Sequence, residues 1–121
     1  MRHTDLCRRT SAYSIDVVRF ATPLLADVSL RHAGTQLIRA SASVASNYRA
    51  VGLARSRREF IAKLGVVIEE ADECVFWLGY IGALSSPNSP QLSALTDEAS
   101  QLLRIFKSSR NTAKRNGGQT W

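Results

Sequence analysis

The sequence predicts an all-α fold, an antiparallel up-and-down four-helix bundle, and three observations predict it. Apolar residues recur in alternating steps of four and three along most of the chain, the period of helices that turn one face to a core. The interruptions are short, which makes consecutive helices antiparallel neighbours. No stretch alternates apolar and polar residues as a half-buried strand does. The 121 residues, 45% of them hydrophobic, suit a single domain with a core of its own over 1–121.

The first helix is expected over 10–22, where Tyr13, Val17, Phe20 or Ala21, and Leu24 follow helical spacing. Pro23 removes a backbone donor and disfavours helix at Thr22, so the helix is expected to stop there. A connection of undefined structure then runs to Gly34, and His32 is read as a loop histidine. The second helix, 35–51, carries Leu37, Ser41, Val44, Tyr48 and Val51 on one face. Its stretch 40–46 contains only Ala, Ser and Val, small enough for another helix to approach at the shorter end of the usual 8–10 Å separation, within the monomer or between subunits. Gly52 suits its exit.

The third helix, 57–83, has the clearest start: Ser56 followed three residues later by Glu59 has the form of a capping box. Phe60, Leu64, Val67, Ala71, Cys74, Leu78 and Ile81 form its stripe, widened by Ile61, Ile68 and Val75. The run SSPNSP at 85–90 breaks the chain, and Ser89 before Pro90 gives a cap followed by proline at the first helical position. The fourth helix, 90–110, continues with Leu92, Leu95, Ala99, Leu102 and Phe106. A basic, glycine-loosened tail is expected over 111–121, ending in Trp121.

Two cysteines, Cys7 and Cys74, make neither a disulfide framework nor a CxxC pair, and the expectation is a reducing cytoplasm. The first segment is interrupted by Asp16 and Arg19 and lacks the apolar run of a signal peptide or spanning helix, so no membrane association is expected.

Catalytic and metal chemistry find little support. Glu69, Glu70, Asp72 and Glu73 crowd into little more than a helical turn, but metal sites in bundles want Glu-x-x-His facing inward, and the only histidines are His3 and His32. These carboxylates fall off or at the edge of the apolar stripe, with Arg39 and Arg49 as candidate partners. No serine lies near a histidine base in a nucleophile turn. No cofactor, metal or catalytic residue is therefore expected.

Two surfaces are more informative. Val66, Trp77 and Tyr80 lie off the stripe of the third helix, where large apolar groups need cover from the tail, from the fourth helix or from another subunit. The net charge is +6, and it is unevenly spread. Residues 1–58 carry ten bases and three acids, 59–106 two and seven, and 107–121 four and none. An up-and-down bundle brings the N-terminus, the turn between the second and third helices and the C-terminus to one end. That end gathers Arg2, Arg8, Arg9, Arg49, Arg55, Arg57, Arg58, Lys107, Arg110, Lys114 and Arg115. Cations at the ends of the second and fourth helices suit the macrodipole, whereas Arg57 and Arg58 open the third helix, where the dipole disfavours them and an anionic partner would explain them. The candidate nucleic-acid-binding residues are Arg49, Arg55, Arg57, Arg58, Lys107, Arg110, Lys114 and Arg115. A scaffold with a protein partner and a merely solvated basic end is the alternative.

Gln36, Leu37, Arg39, Ala40, Ser43, Val44 and Asn47, then Arg55, Ser56, Glu59, Phe60, Ile61, Lys63 and Leu64, then 69–73 with Trp77 and Leu78, carry a resemblance. The segment resembles the bacterial four-helix-bundle family named after proteins encoded in 23S rRNA intervening sequences, which includes the accessory variability determinant of diversity-generating retroelements. Many members continue after the asparagine as N-I-x-E-G. Here Asn47 is followed by Tyr48, Arg49 and Ala50, as in a subgroup reading N-Y-R-A. The resemblance implies a ring of five bundles, a homopentamer. For the retroelement protein it also implies a basic surface that binds nucleic acid and a reverse transcriptase. Most members have no assigned activity. The combined expectation is a non-enzymatic, oligomeric adaptor that binds RNA or DNA without reading its sequence.

Overall fold

The computed structural model describes residues 2–85 and 89–116. Four helices follow one another: α1 (His3–Ala21), α2 (Arg31–Val51), α3 (Arg57–Leu84) and α4 (Pro90–Arg115), with a 3₁₀ turn, Thr22–Ala26, after α1. No strand occurs among the described residues. Each helix packs on the next in sequence, α2 against α3 most extensively, and α4 closes back on α1 more lightly. The core is filled from all four: Val17 from α1, Leu37 and Val44 from α2, Leu64, Leu78 and Ile81 from α3, and Leu102 and Phe106 from α4 are almost wholly buried. Six of the seven residues in the α3 stripe are buried, and Phe60, at the bundle end, is half-buried.

Helix α1 begins at His3, well before the expected start at residue 10. Thr10 lies inside it. Its side chain is fully buried and its hydroxyl donates back to the Leu6 carbonyl at 2.8 Å, as a threonine inside a helix does. Leu6, Thr10, Tyr13, Val17 and Ala21 form the buried stripe, and the polar residues around Leu6 conceal its first member in the sequence. Ala21 ends α1, one residue before the expected limit, and Pro23 sits in the first turn of the 3₁₀ segment.

Helix α2 also starts early, at Arg31 rather than 35, so His32 lies in its first turn and not in a loop. Asp27 precedes it, accepting hydrogen bonds from the Ser29 amide at 2.8 Å and the Ser29 hydroxyl at 2.7 Å; these bonds hold its carboxyl below the usual range. Gly34 is inside the helix, where a Cβ would come within 3.1 Å of Leu25 in the 3₁₀ turn. The glycine serves close packing here. Along 40–46, Ala40, Ser41 and Val44 are buried against neighbours within the chain, and the Ser14 and Ser41 hydroxyls meet at 3.3 Å between α1 and α2.

Ser56 accepts from the Glu59 amide at 3.0 Å and so caps α3, while the Glu59 carboxylate lies 3.7 Å from Arg55. Ser89 accepts from the Leu92 amide at 3.1 Å, with Pro90 opening α4. Within the expected break at 85–90, residues 86–88 lie outside the described residues, as do 117–121 of the expected tail, including Trp121. The helix itself runs on to Arg115, past the expected 110, because buried Ala113 extends its apolar stripe beyond Phe106.

Candidate nucleic-acid interface

Three of the carboxylates on the bundle, Glu70, Glu73 and Glu98, are held by arginines from a neighbouring helix. Arg9 grips Glu98 with two hydrogen bonds, Nε–H at 2.7 Å and Nη2–H at 2.6 Å, and reaches Gln101 at 2.9 Å. Arg39 crosses from α2 to α3, donating to Glu70 at 3.2 Å and, through a shorter bond, to Glu73. That bond to Arg39 is the main cause holding the Glu73 carboxyl below its ordinary range. Of the two partners expected for the acidic turn, Arg39 has the role and Arg49 does not. No three His, Cys, Asp or Glu side chains converge into a metal-binding group among the described residues.

The pairing of Arg9 with Glu98 removes it from the basic end: its charge is answered locally. What remains is assembled by three contacts. The His3 ring packs on Tyr48 at 4.8 Å, Tyr48 stacks on Phe106 at 5.2 Å, and the Arg57 guanidinium donates to the Ala113 carbonyl at 3.4 Å. These tie the start of α1, the end of α2, the start of α3 and the end of α4 to one end of the bundle. Gly52 belongs to the same arrangement, since a Cβ there would meet the His3 Nε2 at 2.5 Å.

On this end the cations fall into sets. Glu98 and Gln101 mark the flank of α4 that faces α1. Lys107, Arg110 and Lys114, spaced i, i+3 and i+7, share the other flank, towards α3 and Arg57. Arg58 is exposed in the first turn of α3. Arg49 is at the same end but on another side, lining the furrow between α1 and α2 beside Cys7 and Ser46. Arg115 donates to the Thr112 hydroxyl at 3.3 Å, and Arg55 is the one member of the predicted set near a carboxylate, Glu59. Among the described residues, Arg49, Arg57, Arg58, Lys107, Arg110, Lys114 and Arg115 have no carboxylate within 4.0 Å. Among the described residues, the buried Arg110 Nε–H has no hydrogen-bond partner.

Arg57 requires a correction. Its position in the first turn of α3 left the dipole unable to explain it, but its guanidinium reaches the last turn of α4. There the free carbonyls carry partial negative charge, so part of its presence is structural.

At the aromatic face of α3, Val66 and Tyr80 are each 46% exposed. Trp77 is instead half-buried, its ring edge-on to His32 at 5.4 Å and its Nε1–H 3.5 Å from Glu73. The residue missed by the periodicity is Phe76, 56% exposed and packed on Trp77 at 4.8 Å. Its i, i+4 spacing from Tyr80 was the signal that could have found it.

No helix of the described residues is long and apolar enough to cross a membrane. No family model matches the sequence, and no curated protein does. Among solved structures, the chain is similar to a protein of unknown function from the S23 ribosomal protein family of Bacteroides thetaiotaomicron. The two are 20% identical with a TM-score of 0.78, over 86% of this chain and 96% of that one. Likeness at this level carries the fold: the chain shares the all-helical architecture of that protein.

Proposed function

We propose that the protein is a non-enzymatic, oligomeric helical-bundle adaptor that binds nucleic acid through its basic end, without reading base sequence. One observation carries the proposal: seven cations collect at one end of the bundle with no carboxylate of the described residues within 4.0 Å, while Arg9 and Arg39 elsewhere are paired. Phosphate is the recurrent anion of RNA and DNA, and guanidinium and ammonium groups on a helical surface bind it through charge. Phe76, Tyr80 and Val66 supply an apolar surface for self-association, and the homopentamer implied by the family resemblance would repeat the basic end around a ring. A reverse transcriptase is the protein partner which that resemblance implies.

Replacing Arg58, Lys107 and Lys114 together by glutamine tests the proposal, because all three are exposed and hold no ion pair among the described residues. Helicity should be unchanged, and affinity for a labelled RNA or DNA oligonucleotide of any sequence should fall at least about tenfold. Unchanged affinity would give the basic end no role in binding and favour the protein scaffold with a solvated surface.

A further inference from the structure

Helix α4 meets α1 lightly, and the reason is local. Above, the two helices are joined by the pair of Arg9 with Glu98. Nearer the basic end, α4 turns Ser108, Ser109 and Thr112 to the same side, and these side chains are too short to reach α1. A crevice of about 550 Å³ is left there, within the range of about 300–1,000 Å³ for small-ligand clefts. Leu6 from α1 and Ile105 from α4 line it, with the rings of Tyr48 and Phe60. Apart from Ala113, its remaining lining is hydroxyl and amide, including Asn116, and no carboxylate is part of it.

Two guanidinium groups reach residues of this lining. Arg57 donates to the carbonyl of Ala113 at 3.4 Å, and Arg115 to the hydroxyl of Thr112 at 3.3 Å. An apolar slot, hydroxyls that both donate and accept, and cations at the rim match a ligand with a flat apolar ring, polar edges and an attached anion. An unpaired nucleotide has those three parts. A paired base does not, because its faces are stacked and its edges are taken.

We infer that the crevice between α1 and α4 takes an unpaired base of a bound strand, with its phosphate at Arg57 and Arg115, so that the protein prefers single-stranded to double-stranded nucleic acid. The inference rests on the nucleic-acid reading above and adds strand selectivity to it. Serine and threonine hydroxyls accommodate the edge of any base, so the preference is for unpaired strands and not for a sequence.

The test uses the full chain and three fluorescent probes of equal phosphate number: an oligothymidylate, an abasic strand and a duplex. Affinities are read by anisotropy for the parent, for Ser109→Trp and, independently, for Ser108→Tyr, with helicity checked by circular dichroism. Both substitutions fill the crevice from α4, and Ser108 is exposed, so its variant keeps the test valid if the first fails to fold. The expected result is oligothymidylate binding about tenfold tighter than the abasic strand. The crevice variants should lower that affinity to the abasic level while duplex binding stays as in the parent. Equal binding of oligothymidylate and abasic strand by the parent, or equal weakening of all three probes by the variants, overturns this inference alone and leaves the crevice to a second copy or a protein segment. Binding of no probe at low salt overturns it together with the nucleic-acid reading.

Discussion

The Arg57 guanidinium donates to the carbonyl of Ala113 at 3.4 Å, linking the first turn of α3 to the last turn of α4. The two helix ends have opposite effects on this cation: the N-terminus of α3 repels it and the C-terminus of α4 attracts it. Its neighbour Arg58 is exposed and makes no such bond, so two adjacent arginines separate into a structural and a free one.

Arg57→Gln is therefore expected to lower stability by about 0.5–1 kcal/mol, a few degrees in Tm, whereas Arg58→Gln leaves Tm unchanged. Thermal circular dichroism of the two single variants checks this. Equal Tm shifts would remove the distinction.

Alkaline pH should weaken the fold. Burial pushes the Cys74 thiol up to about 12, with Glu70 adding to it, and burial pushes Tyr48 up to about 12. Tyr13, buried beside Cys74 without a well-formed hydrogen bond, is raised as well, first by burial. Below the ordinary values, about 9 for the thiol and 10 for the phenol, the protonated groups contribute fully. Above them the unfolded chain releases protons that the folded chain retains, so stability falls as pH rises towards about 12, by up to about 1.4 kcal/mol per pH unit from Cys74 and by less from Tyr48. Urea midpoints at pH 8, 9.5 and 10.5 should decline, and Cys74→Ala should make the decline shallower between the first two.

Assembly is predicted from the aromatic face. Phe76 and Tyr80 are large, exposed and four residues apart on α3, the composition and spacing of an interface patch. Light scattering of the parent should give a multiple of 13.3 kDa, and Phe76→Ser with Tyr80→Ser should reduce it to a monomer. A parent monomer at micromolar concentration would leave the face without a partner of its own kind.

Much of this bundle is legible in the sequence, because burial in helices imposes a period that Leu64, Val67, Ala71, Cys74, Leu78 and Ile81 keep without interruption. The start of α1 is not legible. Leu6 is its one apolar core residue before Tyr13, and the buried residue between them, Thr10, is polar. Gly34 misled for a similar reason: glycine marks helix ends by its backbone freedom, yet here its missing side chain admits Leu25. At the candidate site, topology alone brings the basic residues to one end. Partners are decided by side-chain reach, so the pairing of Arg9 with Glu98, the bond from Arg57 to Ala113 and the crevice beside Thr112 had no signature in spacing.

The central claim, that phosphate is held by the unpaired cations of one end, is tested most directly by the salt dependence of binding. Each phosphate contact releases condensed counterions, and for a single strand the slope of log affinity against log salt is about −0.7 per contact. Titration of a labelled oligonucleotide at several salt concentrations should give a steep slope for the parent. The Arg58, Lys107 and Lys114 triple glutamine variant should flatten that slope by about two, three contacts at about 0.7 each. A parent slope near zero, or a variant slope equal to the parent's, would contradict the claim.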